Sequence, residues 1–249
     1  MKIARFSTEG SQPRFGIVDG DELVVLAGDP MYLGFETVDE RVPLVDATLL
    51  APVIPRSKVV GLMPGVPDED DPDGDVEPVL YLKPNTTVVG PGDSVTVPDG
   101  VGTVEVFGAL AIVIGSIAKA VRPGDAAQVV FGYTLLSDVT ATDLARADGQ
   151  WARAKGFDSF GPMGPLIETD IDSDTVEIIV DVDGDEKRRG TLALQVGAAV
   201  EFASDVFTLL PGDVVILPLV EGVEVDDGNT VEVTIAGIGT LRSDIRVRS

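Results

Sequence analysis

The chain has 249 residues, 42 acidic against 18 basic side chains and a formal charge of −24, with neither histidine nor cysteine. Those two zeros exclude a Ser-His-Asp triad, a Cys-His pair, a thiolate nucleophile, a disulfide framework and an ordinary zinc site. The acidic balance argues against partners that demand Lys/Arg patches, so neither nucleic acid nor a membrane surface is expected to bind; its plain reading is solubility, or adaptation to a salty cytoplasm.

Acid–base chemistry is left to Asp, Glu, Lys or Tyr, and a metal site would have to be built from oxygen alone, which suits Mg²⁺, Mn²⁺ or Ca²⁺. The length suits one large domain or one with a small companion, and the 44% hydrophobic content is that of a globular chain. No apolar run after Met1-Lys2 has the form of a signal peptide, and no stretch of about 20 apolar residues could span a bilayer. A cytoplasmic location is therefore expected, and the sequon Asn85-Thr86-Thr87 carries no meaning there.

In chain order, residues 1–55 read as a small β-rich unit. Lys2 to Phe6 and Arg14 to Val18 are short alternating runs, and Asp19-Gly20-Asp21 is a hairpin turn before Leu23 to Leu26. A Pro-punctuated passage from Leu49 to Pro55 leads to a buried strand, Lys58 to Leu62, and residues 56–249 form the main domain. Met63 to Glu77 is acidic and proline-rich and reads as a surface loop; its carboxylates do not follow the EF-hand pattern. Val79 to Lys83 and Val95 to Val97 are strands, and Thr103 to Gly115 is the longest, with residues 105, 107, 109, 111 and 113 on one face. Helices are expected from Pro123 to Val130, from Thr142 to Lys155 and from Leu192 to Leu209. Val214 to Leu217 and Thr230 to Ile235 close the β pattern, with Gly237 to Leu241 a turn into an edge strand. The fold class is α+β, dominated by β.

Several long segments carry a family resemblance. Lys83-Pro84-Asn85-Thr86-Thr87 through Gly90-Pro91-Gly92-Asp93 resembles the LKPxTxxxGPxD segment of the fumarylacetoacetate hydrolase family. Residues 148–165, DGQWARAKGFDSFGPMGP, are similar to its GQWxRAKGxDxFxPxGP signature, and Thr208 to Val214 and Gly237 to Leu241 are similar to its TLLPGDxI and GIGxL segments. The resemblance implies a mixed β-sandwich roll with a small N-terminal domain, usually dimeric, acting on 2-oxo acids and acylpyruvates at an Mg²⁺ or Mn²⁺ ion. In typical members that ion sits on an E-x-E pair in a strand and an Asp from N-D-x-[ST]-x-R-D. A His-Glu pair moves the proton, and a T-G-T-P-x-G loop holds the substrate carboxylate.

Carried onto this chain, the resemblance puts Phe107 and Ala109 at the two E-x-E positions, and a hard dication gains nothing from either. Glu105, about 6.5–7 Å further along that strand face, is too far to stand in directly. Asp138 is retained within Ser137 to Asp143, where Ser137 replaces Asn and Thr142 replaces Arg; a lone Asp on a β-to-helix turn reads more simply as a cap. The His-Glu loop has no counterpart; Asp68 and Glu69 fall near its place but are poor proton movers among like charges. Leu217-Pro218-Leu219-Val220-Glu221-Gly222 replaces the substrate loop.

Lys83 and Lys155 hold family positions that face the site, and Lys155 either attracts an anionic ligand or pairs with Asp138 as structure. Trp151 reads as core or dimer packing. The expectation is a member without a metal ion or other cofactor, acting as a structural or regulatory subunit, or as a binder of a small anionic or apolar ligand. Its pocket would be lined by Lys83, Phe107, Ala109, Asp138, Lys155, Leu217 and Leu219, and it would be a homodimer or a heteromer with an active paralogue. Two alternatives stay open: metal-independent isomerase or cyclase chemistry on Asp138 and Lys155, and an ordinary metal-dependent hydrolase or decarboxylase.

Overall fold

The computed structural model describes residues 1–65 and 77–248, so Asp68, Glu69 and most of the expected acidic loop lie outside the described residues. The N-terminal part holds β1 (Lys2–Ser7), β2 (Arg14–Asp19), β3 (Glu22–Leu26), α1 (Pro30–Leu33), β4 (Thr37–Pro43) and β5 (Thr48–Leu50). Then come β6 (Val59–Met63), β7 (Val79–Lys83), β8 (Val88–Val89), β9 (Ser94–Pro98), β10 (Val104–Ile114), β11 (Val130–Ala141), α2 (Thr142–Asp148), α3 (Ala152–Lys155) and β12 (Gly161–Glu168). The chain finishes with β13 (Glu177–Val182), β14 (Asp185–Thr191), α4 (Val196–Val206), β15 (Val214–Pro218), β16 (Val223–Glu224), β17 (Thr230–Ile235) and β18 (Gly239–Arg248).

Two sheets result. The larger runs β4-β3-β2-β1-β12-β11-β10-β15-β6-β7, and the smaller β14-β13-β17-β18-β9. The expected alternation of β10 is present: Ala109, Ala111 and Val113 join Tyr81, Leu136 and Ile216 on one face. Val106, Leu110 and Ile112 pack from the other face against Ile178, Val180 and Val233 of the smaller sheet. At Gly108 the sheets approach so closely that a Cβ would lie 2.7 Å from a Val180 methyl, so only glycine fits there.

The helical expectations are corrected in detail. Pro123–Gln128 is a 3-10 turn, after which Val130 already begins β11. The Thr142–Lys155 segment is broken because Gly149 adopts φ 65°, ending α2 and starting a separate turn at Ala152. The third helix is shorter than its apolar periodicity, spanning Val196–Val206. β18 is interior, flanked by β17 and β9, rather than an edge. The N-terminal unit shares the main sheet through β1 pairing with β12.

Candidate functional site

Three strands and one helical turn converge on Asp138. It sits inside β11, fully buried and opposite Phe107 of β10, not on a turn as a capping residue. On β7 the two-residue period sends Tyr81 and Lys83 to the same side. Tyr81 reaches Asp138 because its strand partner is Gly61, where a Cβ would lie 1.9 Å from the ring's Cζ. The ring lies across the glycine, and its hydroxyl donates to Asp138 Oδ2 at 2.5 Å. Lys155 arrives from α3, the turn that begins after Gly149 and is anchored by its own N–H to Trp151 O.

Both lysines bind the one carboxylate. Lys83 Nζ donates to Asp138 Oδ1 at 2.8 Å and to Val139 O at 3.1 Å. Lys155 Nζ donates to Asp138 Oδ2 at 2.6 Å and to Thr140 Oγ1 at 2.7 Å. Lys155 also lies 4.4 Å from the Tyr81 ring centroid, 5.1 Å from Phe107 and 5.3 Å from Trp151, an aromatic cage suited to an ammonium. Trp151 is therefore part of the site rather than only core packing.

Burial raises the Asp138 pKa, but the charges of Lys155 and Lys83 and their hydrogen bonds outweigh it and hold the carboxyl at about 2. Burial pushes Lys83 down to about 8, with Asp138 resisting and Lys155 reinforcing the fall. Burial also lowers Lys155, against the pull of Asp138 and Glu105. Burial first, and then the Asp138 charge, raises Tyr81 well above its usual value, so the phenol stays a proton donor.

Outward from this cluster lies a cavity of about 390 Å³ whose walls include Met63, Glu105, Phe107, Gln150, Trp151 and Val220. Glu105 is half-buried and makes no hydrogen bond or ion pair among the described residues. Lys83, Phe107, Asp138 and Lys155 are thus brought together as expected. Ala109 shares their strand face but is sealed in the core with Leu136 and Ile216.

Leu217 and Leu219 are not in this site, a correction to the expected lining. The β15 alternation turns Leu217, the partner of Leu110, into the layer between the sheets, where Leu219 also packs. Tyr81 and Thr140, not anticipated, were detectable: each stands two residues from a recognised position, Lys83 and Asp138, and so on the same strand face. Among the described residues, no group of three or more carboxylates is placed to hold a metal ion.

The family model for the fumarylacetoacetate (FAA) hydrolase C-terminal domain matches residues 60–246, and that for the Rv2993c-like N-terminal domain matches residues 1–52. Protein Rv2993c of Mycobacterium tuberculosis is 41% identical over 213 residues, covering 82% of this chain and 80% of that protein. The crystal structure of 5-carboxymethyl-2-hydroxymuconate delta-isomerase from Mycobacterium smegmatis superposes with a TM-score of 0.90 at 36% identity, covering 100% of both chains. Maleylpyruvate hydrolase from Sphingobium sp. SYK-6, solved with manganese(II) and pyruvate, superposes at 0.79 with 25% identity, again over 100% of both.

Proposed function

Since the chain belongs to the fumarylacetoacetate hydrolase family, its function is to be read from how its site departs from that family's pattern, and we propose that it works without the divalent-metal centre. In this reading it is a non-catalytic, ligand-holding member, with the cavity beside Asp138 taking a small, largely apolar molecule. It serves as a homodimer or as the structural partner of an active relative.

The observation that carries the reading is that both oxygens of Asp138 are already engaged by protein donors. A hard dication takes several anionic oxygens, yet the β10 residue opposite this carboxylate is Phe107, and the next on that face, Ala109, is sealed in the core. Its own oxygens accept from two ammonium groups and a phenol. The two lysines supply the positive charge that an ion would bring, from side chains that are 1% or less exposed. The residues present do not fit Mg²⁺ or Mn²⁺.

The half-buried Glu105 favours a second reading. A carboxylate on the cavity wall that makes no hydrogen bond or ion pair among the described residues can take and return a proton, which is what isomerisation of an enolised acid requires. The Mycobacterium smegmatis neighbour is named as such an isomerase.

Mn²⁺ titration followed by electron paramagnetic resonance, paired with turnover assays on an acylpyruvate and on 5-carboxymethyl-2-hydroxymuconate, tests both readings. Weak, Asp138-independent Mn²⁺ binding and no turnover is the expected result. Tight Mn²⁺ binding abolished by Asp138→Asn, with metal-dependent turnover, would overturn the proposal. Turnover indifferent to chelator and lost in Glu105→Gln would establish the second reading in its place.

A further inference from the structure

A second cavity, of about 270 Å³, lies where the N-terminal unit meets the main sheet, between β1, β2, the start of α1, the 52–56 connection and β11. Phe15, Met31 and Phe131 form apolar walls, and Arg5, Arg56 and Asp29 bring charge. It is remote from Asp138: Phe131 and Asp138 are seven residues apart on β11, about 23 Å of strand.

The arginines are unusual in this chain. Where 42 acidic side chains face 18 basic ones, a surface cation ordinarily finds a carboxylate. Neither Arg5 nor Arg56 has an ion-pair partner among the described residues. Arg5 is half-buried, and among the described residues its guanidinium makes one hydrogen bond, from Nη1 to Ala51 O at 3.3 Å, its other N–H groups having no acceptor there. Burial lowers its pKa, with Asp29 only partly compensating. Asp29 is engaged in capping Met31 N at 3.0 Å. Arg56 is exposed and stands at the rim with its guanidinium carbon 4.6 Å from the centroid of the Tyr32 ring. A partly desolvated cation lacking its anion, set in apolar walls, is the complement of an amphipathic anion.

We propose that this junction binds a small monocarboxylate with an apolar, ring-sized body, its carboxylate taken by Arg5 with Arg56 at the mouth and its body between Phe15 and Phe131. The planar fork of Arg5 matches a carboxylate in bidentate fashion. With Asp29 present the cavity's charge is +1 overall, which favours a monoanion over phosphate. At about 270 Å³ the cavity has room for a single-ring carboxylate such as benzoate.

The four methionines make the test direct, because Met31 lines this cavity and Met63 lines the one beside Asp138. In the full chain with ¹³C-methyl methionine, titration with benzoate should shift the Met31 methyl saturably and leave Met63 in place. Neutral benzamide should bind at least about tenfold more weakly, as should benzoate to Arg5→Leu. Arg56→Gln, at the exposed rim, is the variant that keeps the test alive if Arg5→Leu does not fold, and it should weaken benzoate in the same sense. A Met31 methyl unmoved at millimolar benzoate, equal responses to benzoate and benzamide, affinity unchanged in the folded arginine variants, or movement of Met63 instead would each overturn the proposal. None of these outcomes bears on metal binding at Asp138, so failure here is distinguishable from failure of the proposed function.

Discussion

Two ammonium groups share one carboxylate at the Asp138 site, and this imbalance governs how each residue responds to substitution. Removing the anion strands two buried cations, whereas removing one cation leaves a neutral pair. Asp138→Asn is therefore expected to cost about 3–5 kcal/mol, and Lys83→Met clearly less, in urea unfolding. Equal losses would mean that the cluster is not charge-coupled. The pH dependence follows from Lys83, which titrates at about 8 in the fold against 10.5 free. Between those values the unfolded chain holds a proton that the folded chain has lost, so this residue makes stability rise with pH across that window. The urea midpoint of the native chain, measured against Lys83→Met from pH 8 to 10.5, should climb relative to the variant. Asp138 works in the opposite range: its contribution is complete above the ordinary value of 3.8 and is lost only as pH falls toward about 2.

At the scale of elements, the site depends on a glycine in a neighbouring strand. Gly61→Ala would put a methyl within the Tyr81 ring, so β6 and β7 must part or the ring must swing away from Asp138. The expected loss is about 1–3 kcal/mol from overpacking. Tyr81→Phe keeps the ring and loses only the hydrogen bond, so combining the two changes should cost less than their sum, by a double-mutant cycle.

The same elements explain what could be read in the chain beforehand. β10 was legible because a long apolar run kept its two-residue register. Asp138, Lys83 and Lys155 were legible because they fall within long motifs. β11 was not, because buried Thr134, Ser137, Asp138 and Thr140 fall on both of its faces, so VFGYTLLSDVTA shows neither alternation nor the unbroken apolar run of β10. The β13–β14 hairpin was overlooked although Asp183-Gly184, with φ 55° and 85°, is the Asp-Gly pair that a tight hairpin turn favours. Leu217 and Leu219 were misassigned because position in a motif does not say which face of β15 a residue takes.

For the whole molecule, the −24 charge and the continuity of the main sheet have separate consequences. With a formal charge of −24, self-repulsion opposes compactness, so the melting temperature should rise between low salt and about 1 M KCl, where the screening length falls to about 3 Å. The sheet bears on whether the chain divides. The two family matches stop at residue 52 and begin at residue 60, which suggests a removable N-terminal piece. The hydrogen bonding does not divide there. Lys2 and Ile3 pair with Glu168 and Ile167 of β12, and the terminal ammonium is bound by Glu168 and Thr169. Ile3 packs beside Met163, Ile167 and Val214 in the core behind Ala109. Deleting residues 1–52 would uncover the edge of β12 together with that apolar face, and an open, apolar edge pairs with other chains. The shortened chain is expected to associate in size-exclusion chromatography and to unfold at lower urea than the full chain. If it instead eluted as a compact species of unchanged stability, β1 would be an ornament on β12, and the N-terminal unit would be a separable domain.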